Sequence, residues 1–173
     1  MVFGMSLQTY ILIHVLISLI GIASGLGVMY GLLKNKQLDR STGLFLTTTV
    51  LTSVTGFGFP FDHLLPSHKV AILSLVALAI AIVARYPLHL AGAWRKTYVI
   101  CASVALYFNC FVLVVQLFEK VPALKAVAPT QKEAPFAVAQ LALLALFVVL
   151  TIFAAKRFRD QPALLVRAAD RAA

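Results

Sequence analysis

Five stretches of this chain, residues 1–33, 41–61, 70–84, 97–118 and 134–155, contain no Asp, Glu, Lys or Arg. A helix rises about 1.5 Å per residue and a hydrocarbon core is about 30 Å thick, so roughly 20 mainly apolar residues cross a bilayer. The first, fourth and fifth stretches meet that length directly. The second is diluted by Thr47, Thr48, Thr49, Thr52, Ser53 and Thr55, but hydroxyls that bond back to their own helix are cheap in lipid. The third is short, and Lys69 and Arg85 can snorkel outwards from it while Tyr86 sits at the interface. Composition points the same way. The 173 residues are 61% hydrophobic and 12% charged, more apolar material than one small water-exposed domain can enclose. The expected fold is therefore all-α: a single integral membrane bundle of five transmembrane helices, at about 7–33, 42–61, 67–86, 96–118 and 135–156, with a basic cytoplasmic tail over 157–173.

Charge sets the expected orientation. With the N-terminus outside, the inner segments hold eleven basic residues, Lys34, Lys36, Arg40, Arg85, Arg95, Lys96, Lys156, Arg157, Arg159, Arg167 and Arg171. The outer segments hold four, Lys69, Lys120, Lys125 and Lys132. Basic residues in short loops stay on the cytoplasmic side, so the chain reads as N-outside and C-inside, in a bacterial inner membrane. The net charge of +9 then belongs to topology, and a nucleic-acid partner is not expected. The first helix lacks a basic n-region and is far longer than a signal-peptide core, so it reads as a retained span.

Polar residues inside apolar spans are the informative minority. In this orientation they gather on the outer side: His14, Asp62, His63, His68, Gln116, Glu119 and Gln140, with Asn109 somewhat deeper. His14, Ser18, Gly21 and Gly25 form one stripe on helix 1, which points His14 into the bundle. Thr48, Thr52 and Thr55 share a face of helix 2, and Asn109, Gln116 and Glu119 a face of helix 4. The expectation is an outer-half polar pocket lined by Ser18, Thr48, Thr52, Thr55, Asn109, Gln116, Glu119 and Gln140, with His68 at the start of helix 3. Each element has a plainer reading: a buried imidazole bonded to its neighbours, interhelical glue, solvated turn histidines. His89 reads as surface. Cys101 and Cys110 stand roughly 13 Å apart along one helix, too far for a disulfide, and read as apolar filler. Tyr10, Tyr30, Tyr86, Trp94, Tyr98, Phe57, Phe59 and Phe61 read as interfacial anchors. No phosphate-binding glycine loop, CxxC, HExxH or GxSxG motif occurs, and an enzyme is the least supported class.

The stretches FGFPFDHLLPSHKVAILSLVALAIAIVARY, LAGAWRKTYVICASVALYFN and VPALKAVAPTQKEAPF resemble a family of short bacterial multi-pass membrane proteins with no assigned activity. Loosely, the chain is also similar to small b-type-cytochrome-like bundles, with a histidine on helix 1 and another at the start of helix 3, here His14 and His68. That resemblance implies a haem b or transition-metal site held by His14 and His68, with His63 as a substitute and Asp62 beside it, and a role in redox or cofactor handling. Two other readings stand beside it. One is a small channel or carrier whose pathway uses Thr48, Thr52, Asn109 and Gln116. The other is an accessory subunit that packs against a second copy or a membrane-complex partner.

Overall fold

The computed structural model describes residues 4–59 and 66–159. Its helices are α1 (Leu7–Leu33), α2 (Asp39–Gly56), α3 (Pro66–Arg85), α4 (Trp94–Lys120), α5 (Pro122–Val127) and α6 (Ala134–Arg157). Four of them, over Leu7–Leu33, Ser67–Arg85, Trp94–Lys120 and Ala134–Arg157, are long and apolar enough to cross a membrane. The fold is an all-α bundle. α2 is shorter than expected at its C-terminal end, where it stops at Gly56, because glycines at 56 and 58 disfavour continuing the helix. At its other end it starts at Asp39, three residues early. An acid in the first turn, Asp39, suits the positive end of the helix dipole, so the charged residue that bounds the apolar run belongs to the helix.

α1 opens on Ser6, whose hydroxyl accepts from the Thr9 backbone N–H at 3.1 Å, satisfying one of the donors a helix start leaves open. It runs into a tight turn in which Asn35 is left-handed, φ 55°. Gly31 is required there, since a Cβ would lie 3.0 Å from the Leu38 side chain and 3.1 Å from the Lys36 carbonyl. α2 then returns antiparallel along α1. The pairs Gly31 with Leu38, Gly25 with Phe45, Gly21 with Thr48 and His14 with Thr55 mark the register from one end to the other.

α3 and α4 form the second hairpin. Ala77, Leu78, Ala81 and Ala84 of α3 and Ala102, Ala105 and Leu106 of α4 are all buried, and small side chains at these positions let the two backbones approach closely. α2 meets α3 antiparallel. Phe57 stacks on His68 at one end, rings 5.3 Å apart, and Asp39 is ion-paired with Arg85 at the other. α1 and α3 thus flank α2, and α4 packs against α1 and α3.

α6 lies antiparallel on α4. Phe136 meets Phe118 edge-on at 5.4 Å and Phe147 meets Tyr107 at 5.7 Å. The connection between them contains the short α5, which the charge-free pattern did not reveal. Gln131 Nε2 donates to the Val115 carbonyl at 3.1 Å, and the Glu133 carboxylate collects the Thr130 N–H and O–H and the Lys132 N–H, so the connection between α4 and α6 is stitched down. At the other end of the bundle the Arg159 N–H donates to Asn35 Oδ1 at 2.9 Å, tying the end of α6 to the α1–α2 turn.

Two of the expected interfacial aromatics lie elsewhere. Tyr98 is fully buried, and Tyr10 is buried with its hydroxyl donating to the Thr55 carbonyl at 2.6 Å. Tyr30, Tyr86 and Trp94 are exposed at helix ends, as anchors would be. The basic tail beyond residue 159, and Phe61, lie outside the described residues.

Candidate functional site

α1 and α2 bring the first group of polar residues together. Ser18 Oγ donates to the His14 carbonyl at 2.7 Å, so that hydroxyl is spent on its own helix. His14 is half-buried, and its Nδ1 lies 2.8 Å from Thr55 Oγ1. The Thr55 hydroxyl hydrogen is itself committed to the Leu51 carbonyl at 2.7 Å. With the hydroxyl hydrogen directed to Leu51, Thr55 Oγ1 accepts from Nδ1–H of the imidazole, the tautomer that satisfies both groups at once. That leaves the Nε2 lone pair, which has no hydrogen-bond partner among the described residues. Phe59 closes over the site, its ring edge-on to His14 and to Tyr10, at 5.1 Å in each case. Asp62 and His63 lie outside the described residues. His68 is buried and stacked on Phe57. It stands at the same end as His14, across α2 from it.

The second polar group sits at mid-height, in the middle of the bundle. Asn109 Nδ2 donates to Thr49 Oγ1 at 3.3 Å, and both face the bare backbone of Gly21. A Cβ there would lie 3.2 Å from Thr48 Oγ1, 3.3 Å from Thr49 Oγ1 and 3.4 Å from Asn109 Nδ2. Gly21, Thr48, Thr49 and Asn109 each fall near the centre of their helices. The layer is closely packed, and the void beside it, lined by Gly25, Phe45 and Leu106 among others, measures about 10 Å³, at the lower limit for holding one water. This differs from the outer-half pocket expected from helix faces. Thr48 bonds back to the Leu44 carbonyl at 2.7 Å. Thr52 Oγ1 is buried with no hydrogen-bond partner among the described residues. Gln116 and Glu119 are exposed on α4 and do not join Asn109. Gln140 reaches the α4–α6 seam, where its Nε2 donates to the Phe111 carbonyl at 3.3 Å.

Thr49 is the member that helix-face reasoning missed. Its neighbour Thr48 fits the stripe with Thr52 and Thr55, yet Thr49 is the one that is fully buried and bonded across helices. The available signal was the run Thr47, Thr48 and Thr49, which covers a little over half of the helix circumference with hydroxyls at one level. Removing the amide should cost little, because polar pairs between membrane helices average about 0.6 kcal/mol. Asn109→Ala is expected to lower the thermal midpoint of the detergent-solubilised protein by a few degrees and leave its assembly intact.

Among the described residues no group of three or more His, Cys, Asp or Glu is placed to hold a metal ion. Fold and polar clusters together define a helical bundle of membrane-protein type, with one histidine–threonine pair under an aromatic lid at the end where α1 begins. Compared with known protein families, curated proteins and solved structures, the chain matches none of them.

Proposed function

We propose that the chain is a five-span protein of a bacterial inner membrane, N-outside and C-inside, that holds a transition-metal ion or haem iron at its outer end through His14. α2 supports the fifth span. Its Thr42, Thr48, Thr49 and Ser53 are buried while Leu44, Leu51 and Val54 are about half exposed, the reverse of a helix that borders water. Eighteen residues of helix reach about 27 Å, and the turn at Phe57 completes the crossing. The eleven-to-four division of basic residues supports the orientation.

The observation that carries the metal reading is the contact of His14 Nδ1 with Thr55 Oγ1 at 2.8 Å, with Nε2 left without a hydrogen-bond partner among the described residues. Metal-bound histidines ordinarily donate their second N–H to an oxygen that orients the ring, and Thr55 occupies that position. His68, which stands at the same end as His14, would be the second ligand, and His63 and Asp62, a few residues before it in sequence, are the further donors proposed. A bound metal or haem would supply one-electron chemistry. Thr55 would hold the ring's orientation, and Phe59 and Tyr10 would keep water away from it. The packed layer at Gly21 and Asn109 gives a conducting pathway through the bundle less support.

Expression with haem and metal supplementation, followed by an absorption spectrum and elemental analysis, tests the reading. The purified protein should carry a Soret band or near-stoichiometric metal, His14→Ala should lose it, and Thr55→Val should weaken metal affinity about tenfold. Protein with neither signal overturns it.

A further inference from the structure

The opposite end of the bundle carries a second candidate site. Where α3 ends and α2 begins, an open cavity of about 250 Å³ is lined by Gln37, Asp39, Arg85, Tyr86, His89 and Leu90. The Arg85 side chain is only 8% exposed, although it ends a helix where a long cation would normally reach for water. It lies over the Tyr98 ring at 5.4 Å and the Tyr86 ring at 5.9 Å. Its Nη2 meets Asp39 Oδ1, and the Asp39 side chain is 80% exposed. The pair is therefore lopsided: a sequestered guanidinium with further N–H donors in its fork, beside a carboxylate that still has an oxygen open to solvent.

The rim is unusual as well. His89, Leu90 and Gly92 are all left-handed, with φ of 47°, 57° and 52°. Two of these are side-chain-bearing residues that pay for this conformation, and such strain concentrates at binding sites. Tyr86, which lines the cavity, also ends an exposed apolar stripe of α3 at helical spacing, Val76, Ile80 and Val83, at 54%, 39% and 45% exposure.

We infer that this cavity binds the headgroup of a phospholipid carrying a phosphate and a primary ammonium but no carboxylate to oppose Asp39, that is, phosphatidylethanolamine. The phosphate accepts from the remaining donors of Arg85, and the ammonium, two carbons away, donates to Asp39. Charge complementarity selects this headgroup. A phosphatidylglycerol phosphate has no cation to offset Asp39, and the quaternary ammonium of phosphatidylcholine has no N–H to donate. The acyl chains lie along Val83 and Ile80, which commits the site to a membrane lipid. The inference rests on the membrane-spanning reading of the bundle and is independent of the outer metal site.

The test reconstitutes the full chain in vesicles of equal parts dioleoyl phosphatidylethanolamine, phosphatidylcholine and phosphatidylglycerol, re-extracts it in mild detergent and quantifies retained lipid by mass spectrometry. Phosphatidylethanolamine should be enriched about fivefold over each competitor, the upper range for an exposed charge pair. Asp39→Asn removes the ammonium's partner and also the charge paired with Arg85, while its amide oxygen can still accept from the guanidinium, so it should abolish the preference over phosphatidylglycerol while lipid is still retained. Arg85→Lys should keep the order of preference with weaker retention. Equal retention of the three lipids, an unchanged ratio in Asp39→Asn, or displacement by an equal concentration of free phosphoethanolamine overturns the inference. A chain that washes off membranes in carbonate overturns the spanning reading as well, which separates the two failures.

Discussion

Replacing Gly25 by leucine should disrupt the bundle more than any other single change on α1. Even one added carbon at that position would lie 2.5 Å from Leu106 Cδ1 and 2.8 and 2.9 Å from the Phe45 ring. Those neighbours cannot withdraw. Phe45 and Leu106 are 1% exposed, held between α1, α2 and α4, and a close-packed interior transmits the strain. Overpacking of this kind costs about 1–3 kcal/mol, occasionally more, which corresponds to a midpoint lowered by roughly 5–10 °C in a chain of this size. Gly27→Leu supplies the comparison, because a Cβ at Gly27 meets nothing within 4 Å. Thermal unfolding of both variants in the same detergent should show a large loss for Gly25→Leu and almost none for Gly27→Leu. Equal midpoints would mean that α1 does not pack on Phe45 and Leu106.

Leu51→Asp should prevent α2 from taking its place in the membrane. Leu51 is 44% exposed on the same face as Leu44 and Val54. In water, an aspartate at such an exposed position changes stability by no more than about 0.5 kcal/mol. In hydrocarbon it costs about 2–3 kcal/mol near the middle of a span. The two environments therefore predict opposite outcomes for one substitution: a well-folded chain, or little chain recovered from the membrane fraction. Topology can be read in parallel with single cysteines. Gly58→Cys should react with an impermeant maleimide in intact cells, and Gln37→Cys only after the membrane is broken, because the two positions lie at opposite ends of α2. Labelling of both in intact cells would remove the fifth crossing.

α1, α4 and α6 could be placed from the charge-free runs alone, since lipid imposes an all-or-none rule on ionised groups over the length of a span. α2 was harder, because its hydroxyls make it look half-soluble by composition while its geometry turns them inwards. Depth was also hard to obtain. The stripe through His14, Ser18, Gly21 and Gly25 was visible as spacing, but that Gly21 meets Thr48, Thr49 and Asn109 depends on the register of α1 against α2 and α4, which no local pattern encodes. Arg85 shows the limit most clearly. A terminal arginine beside a tyrosine reads as a snorkelling cation, and His89 reads as surface. Only the fold places Asp39, from a helix nearly fifty residues earlier, against that arginine, and turns the loop after α3 over both.

The hydrogen bond from Arg159 to Asn35 has a consequence for synthesis. The chain leaves the ribosome as two successive helical hairpins, α1–α2 and α3–α4, whose contacts are local and can form early. α6 follows both, and its far end reaches back to the first turn. The flanks of α1 and α4 that it covers therefore stay uncovered until α6 has been made and has docked.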